Sequence, residues 1–140
     1  MKKKRILVDM SATIIHNGHI RLLKKASKLG SVIVGLTRDR EIYKHKGYKV
    51  EIKYEARKEI LESIVYVNKV IPSNFYIDEK FLKLNKIDIL VHGNDNPHKI
   101  KKKYLKIFPR TSSISSTIIR QKTQTSLKKI KKKKIDKKNY

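Results

Sequence analysis

His16 and His19 stand three residues apart around Asn17 and Gly18, a pattern suited to handling phosphate. If the pair straddles the start of a helix, both rings point to one side, beside free backbone amides and the positive end of the macrodipole. Two imidazole N–H groups there can follow charge as it develops on phosphate oxygens, and Gly18 lets the backbone approach closely. A zinc reading needs a third protein ligand, and neither a nearby Glu nor any cysteine supplies one. Further along, Lys46 lies in a basic stretch from which a mobile lysine can close over phosphates, and Arg57 offers a bidentate fork, although an exposed helix charge explains it too. Arg110 and Thr111 lead to Ser115, Ser116 and Thr117. With Ser115 as a cap, these hydroxyls make a second anion site facing the first, and an ordinary helix cap accounts for the same serines. Asp95 is a binding candidate in a Gly-Asn-Asp-Asn-Pro stretch that a structural turn explains almost as well.

Those residues need elements to hold them. Residues 5–10, RILVDM, form an apolar run fit for a buried strand, and apolar residues at helical spacing over 18–29 predict a helix ended by Gly30. Residues 31–36 make the next strand, completing a β-α-β unit. The polar, irregular stretch 37–53 reads as a working loop and a candidate lid. A helix over 54–65, a strand over 67–72, a helix over 78–84, a strand over 87–92, a short helix over 100–104 and a strand over 105–108 follow. This alternation predicts one α/β domain over residues 1–120, a Rossmann-like parallel sheet with helices on both faces, whose ligands sit beyond the carboxyl ends of the strands.

Composition narrows the class. In 140 residues there are 36 Lys and Arg against 12 Asp and Glu, a formal charge of +24, which favours polyanionic ligands. Residues 121–140 hold nine lysines and one aspartate, a polybasic tail whose composition predicts disorder and no catalytic role. The first apolar run is too short for a signal segment or a membrane span, so a soluble cytoplasmic protein is expected, and the absence of cysteine fits. A basic nucleic-acid-binding protein is the reading from another class; nucleic acid ranks well below a small anionic substrate.

Taken in order, His16-Asn17-Gly18-His19, Lys46-Gly47, Tyr54-Glu55-Ala56-Arg57, His92-Gly93-Asn94-Asp95 and the run from Arg110 to Thr117 resemble the nucleotidyltransferase superfamily with the His-x-Gly-His signature. Within it the likeness is to the glycerol-3-phosphate and phosphocholine cytidylyltransferases, over roughly residues 4–120. The resemblance implies CMP transfer from CTP to a small phosphorylated alcohol or phosphonate, with pyrophosphate released and no general base required. It implies His16, His19, Lys46 and Arg57 as the catalytic set. Met10, Ser11, Gly18, Asp95, Arg110, Thr111, Ser115, Ser116 and Thr117 become nucleotide or phosphate contacts. Mg²⁺ is expected on the CTP phosphates, no protein metal site is expected, and a homodimer is implied by resemblance alone. Adenylyltransferases of the same superfamily share the Ile-Ser-Ser-Thr segment and stand as the alternative.

The chain departs from that pattern just before the signature. Met10-Ser11-Ala12-Thr13 replaces the usual Gly-Thr-Phe-Asp, so Thr13 stands where the family has an aspartate, and Asp9 is a candidate to compensate. The Val-Asp-Met-Ser-Ala opening is similar to cytidylyltransferase domains associated with phosphonate biosynthesis. This leaves the acceptor open among glycerol phosphate, an aminoethyl or hydroxyethyl phosphonate, and phosphoethanolamine. Choline is disfavoured, because no tryptophan is present to build an aromatic cage.

Overall fold

A computed structural model describes residues 2–94 and 96–138. Its core begins with β1 (Arg5–Met10), where Ile6, Leu7 and Val8 are wholly buried. Each such side chain contributes roughly 1.5–3 kcal/mol relative to exposure. Burial on both sides marks a central parallel strand, and β1 pairs in parallel with β2 (Ser31–Thr37) on one side and β4 (Ile89–His92) on the other. With β3 (Lys69–Ser73) beside β2 and β5 (Leu105–Ile107) beside β4, the described residues form a parallel sheet in the order β3-β2-β1-β4-β5. The order reverses direction between β1 and β4, so the crevice at their carboxyl ends is the natural ligand site.

Alternation along β1 divides the core in two. Ile6, Val8 and Met10 pack with Leu23 and Ala26 of α1 (Asn17–Ser27) and Leu61 of α3 (Tyr54–Glu62). Leu7 points the other way and joins Ile33, Leu90 and Leu82 of α4 (Glu79–Leu84). Helices therefore cover both faces, as the sequence pattern predicts. α1 stops at Ser27 with Lys28 as its cap, slightly before the expected end at Gly30.

Two segments differ from expectation. The stretch read as a loop over 37–53 contains α2 (Asp39–Lys46). It buries only Ile42, so hydrophobic periodicity is silent there. What holds it is charge order: Asp39 and Glu41 lie in its first turn, Lys44, His45 and Lys46 in its last, and Gly47 closes it in the left-handed conformation. Only residues 47–53 remain irregular.

The second difference is the tail. Instead of being disordered, residues 121–138 continue α5 (Ser116–Lys138) as a solvent-exposed helix. The segment has no glycine or proline, its lysines, glutamines and leucine are good helix formers, and a helix satisfies its own backbone without burial. No helix among the described residues is long and apolar enough to cross a membrane.

Candidate active site

The turn from β1 into α1 is built by the two histidines themselves. His16 is the N-cap, in extended conformation, and its Nδ1 accepts the Gly18 amide at 3.0 Å. His19 Nδ1 in turn accepts the His16 amide at 3.1 Å. Two amides that a helix start leaves orphaned are thus satisfied reciprocally, with imidazoles in the roles usually filled by Ser and Glu. The ring centroids lie 4.0 Å apart. Gly18 is required by this packing, because a Cβ there would stand 2.8 Å from His16 Cε1.

These hydrogen bonds fix the chemistry of the rings. A nitrogen that accepts carries no proton, so each neutral ring holds its proton on Nε2, as a donor. Both rings stay neutral: burial, then the charge of Arg110, holds His16 below the usual imidazole range. Burial, then His16, Arg110 and Lys46, pushes His19 down from 6.5 to about 3. The sign of the resulting stability effect follows. With the folded pKa below the unfolded one, the unfolded chain takes up the proton first, so His19's contribution is whole above 6.5 and is lost as pH falls towards about 3. Thermal melts across that window should show Tm falling with pH, and the fall should be shallower in His19→Asn, which cannot titrate there.

Across the cleft, α5 opens with Ser115 as its cap, the Ile118 amide donating to Ser115 Oγ at 3.1 Å. Ser116 Oγ donates to the Ile14 carbonyl at 3.1 Å, tying the start of α5 to the turn that carries the histidines. The two helix starts face one cleft of about 310 Å³. Met10, Ser11, His16, Gly18, His19, Lys46, Arg110, Thr111, Ser115, Ser116 and Thr117 all line it. The carbonyls of Met10 and Ser11 are already engaged, by Thr37 Oγ1 and by Arg57. Lys44, a second loop candidate, does not line the cleft, and Asp95 falls outside the described residues.

Arg57 is placed differently. It is wholly buried and away from the cleft surface. Its guanidinium donates to the carbonyls of Ile52, Ser11 and Thr37 and to the Asp39 carboxylate, while the other Asp39 oxygen accepts the Tyr54 amide at the start of α3. Arg57 therefore ties the ends of β1 and β2 to α2 and α3 beneath the cleft. The fork geometry recognised in the sequence is used on backbone oxygens rather than on phosphate.

Thr13 is buried and meets Tyr48 Oη at 3.4 Å. Arg120 packs 4.6 Å over the Tyr48 ring and grips Glu51 through two bonds of 2.7 and 2.6 Å. Its hydrogen bonds hold the Glu51 carboxyl down to about 2. In this chain the position of the family aspartate thus faces the loop that follows Lys46, and α5 pins that loop in place. Sequence reasoning passed over Arg21 and Lys25 of α1, Phe75, His92 and His98, which also line the cleft. The two α1 cations follow Gly18 at helical spacing, a signal hidden by the abundance of basic residues.

Comparison with known proteins agrees with this geometry. A family described as cytidylyltransferase-like matches residues 11–122. The chain belongs to the cytidylyltransferase-like family. It is 38% identical over 125 residues to the glycerol-3-phosphate cytidylyltransferase of Bacillus spizizenii, covering 84% of this chain and 95% of that one. It is 36% identical over 93 residues to the mouse ethanolamine-phosphate cytidylyltransferase, covering 65% of this chain and 23% of that one. Among solved structures it resembles a lipopolysaccharide core biosynthesis protein from Thermoplasma volcanium, with a TM-score of 0.64 at 22% identity over 79% of this chain and 98% of that one, a likeness of fold. As a cytidylyltransferase-like protein the chain is a nucleotidyltransferase.

Proposed function

We propose that this enzyme transfers CMP from CTP to a small phosphorylated alcohol or phosphonate and releases pyrophosphate. The observation that carries the reading is the cleft itself, where two neutral Nε2–H donors at the start of α1 face the start of α5 and the cations Lys46 and Arg110. The relatives at 38% and 36% identity, whose names specify glycerol-3-phosphate and ethanolamine phosphate, support the acceptor class.

The acceptor's phosphate or phosphonate oxygen attacks the α-phosphorus of CTP. A new P–O bond forms as the bond to the β-phosphate oxygen breaks, and the electron pair leaves with pyrophosphate. An acceptor that is already ionised near neutral pH needs no base, so catalysis rests on alignment and on charge. His16 and His19 donate Nε2–H to oxygens of the reacting phosphate without carrying charge of their own, while Lys46 and Arg110 hold the departing pyrophosphate.

Mg²⁺ belongs to this reading as part of the nucleotide substrate. Asp9 is the sole carboxylate lining the cleft among the described residues, and both its oxygens already accept ring N–H groups. The donors therefore fit a cation held by triphosphate oxygens, whose charge it neutralises, and no protein cage. The same reading carries a homodimer, which sedimentation would show, and a cytoplasmic setting, where CTP is made.

Pyrophosphate release should be measured with CTP or ATP against glycerol-3-phosphate, phosphoethanolamine and hydroxyethylphosphonate. Turnover with CTP and at least one acceptor is expected. Turnover with ATP alone would transfer the assignment to adenylyl transfer, and none with any pair would overturn it.

A further inference from the structure

The cleft holds a second polar cluster at the point where the strand order reverses. Asp9 lies in β1 and His92 ends the neighbouring β4, with His98 in the loop beyond it. Asp9 Oδ1 is 2.6 Å from His92 Nδ1 and Oδ2 is 2.7 Å from His98 Nε2. The three residues have the chemistry of a metal site, with ligand atoms within 4.8 Å of one another. One further bond decides against it: the Ile77 amide donates to His98 Nδ1 at 2.9 Å. That nitrogen therefore carries a lone pair, the proton sits on Nε2, and no lone pair remains there for a cation. His98 is a buried, neutral anchor whose two nitrogens are both engaged.

The anchor settles the rest of the cluster. Burial pushes the Asp9 carboxyl up, but the hydrogen bonds from His92 and His98 outweigh it and hold the group below the ordinary carboxylate range. An ionised carboxylate only accepts, so His92 donates from Nδ1 and is fixed in the tautomer whose Nε2 is an acceptor. The His92 ring lines the cleft. This wall differs from the rest of the site, where His16, His19, Lys25, Lys46 and Arg110 present donors or positive charge. A phosphate gains nothing against a carboxylate, whereas a hydroxyl or an ammonium group does.

We propose that the Asp9–His92 pair, anchored by His98, recognises the end of the acceptor remote from its phosphorus and selects short tails that carry a hydrogen-bond donor. The inference rests on the cytidylyl-transfer reading and adds to it the residues that choose the acceptor. Hydroxyl and ammonium tails share the required chemistry, and separate assay arms distinguish them.

The test uses the full chain with glycerol-3-phosphate, phosphoethanolamine and ethyl phosphate, the last having no donor on its tail. KM for CTP is measured alongside. Wild type should prefer one or both donor-bearing acceptors to ethyl phosphate by about tenfold or more in kcat/KM. His92→Phe should abolish that preference through the acceptor KM and leave the CTP KM unchanged, and His92→Gln, with an oxygen near the position of Nε2, should restore part of it. The larger loss, on the glycerol or the ethanolamine arm, identifies the tail. A preference that survives His92→Phe, or a CTP KM that rises as much as the acceptor KM, overturns the proposal.

Nitrogen NMR of the wild-type histidines provides an arm independent of turnover and of variant folding. It should show His98 protonated at Nε2 and His92 at Nδ1, and the His92 Nε2 resonance should move with a donor-bearing acceptor but not with ethyl phosphate. An unmoved resonance, or the opposite tautomers, overturns the proposal. Absence of wild-type turnover with every acceptor overturns cytidylyl transfer instead, and the NMR arm still decides what the pair binds.

Discussion

Replacing His19 with asparagine should lower kcat by about 10²–10³-fold, the usual cost of losing one preorganised donor to a developing negative charge, while Tm at neutral pH stays close to wild type. The two effects separate because the ring does two jobs through two nitrogens. Nδ1 accepts the His16 amide at 3.1 Å and caps α1. Nε2 carries the proton that faces phosphate. An asparagine oxygen can take over the first task and cannot reach the second. His19→Ala should lose as much rate and, in addition, about 1 kcal/mol of stability, the typical worth of a helix cap. Steady-state kinetics beside thermal melts of the two variants check the division. If the asparagine variant keeps its rate, the ring is a cap alone.

Removing Arg57 should have the largest effect on stability. Its guanidinium meets three carbonyls and the Asp39 carboxylate with no exposure to solvent. Arg57→Ala orphans those acceptors together, each buried polar group costing about 1–3 kcal/mol. Asp39 is itself 32% exposed, so water recovers part of its share. A net loss of about 3–5 kcal/mol is expected, in the range for a broken buried pair and a large part of a typical domain's stability. Urea unfolding measures it. A ligand of phosphate would behave in the opposite way: the variant would unfold like wild type, and KM for CTP would rise.

Arg57 also shows where reading the sequence stops. Residue type and spacing identify a fork on α3, yet its acceptors are carbonyls from the ends of β1 and β2 and the loop before α3, brought together only by folding. The strands were legible because runs such as Ile6-Leu7-Val8 are apolar on both faces. The donor pair was legible because His16 and His19 are local to one turn. α2 was hidden because its stability comes from charge order and a glycine cap, with one buried side chain, so a search for apolar periodicity passes over it. Its signals, Asp39 and Glu41 ahead of Lys44 to Gly47, are in the sequence and are weak individually.

The Asp9 cluster is a third kind of case. Asp9 and His92 lie 83 positions apart, and nothing local links them. The link is strand order: once β1 and β4 are neighbours, residues at their carboxyl ends must meet. The departure at Thr13 is likewise explained by a distant partner, Tyr48, rather than by Asp9 standing in for the missing carboxylate.

The central claim, that the cleft transfers a cytidylyl group, is tested most directly with CTP labelled at its α-phosphorus and incubated with glycerol-3-phosphate or phosphoethanolamine. The label should appear in a product joining cytidine and acceptor through a diphosphate, with unlabelled pyrophosphate released in equal amount, and His19→Asn should suppress both. Label recovered only as CMP, or retained in CDP while the acceptor gains an unlabelled phosphate, would contradict it.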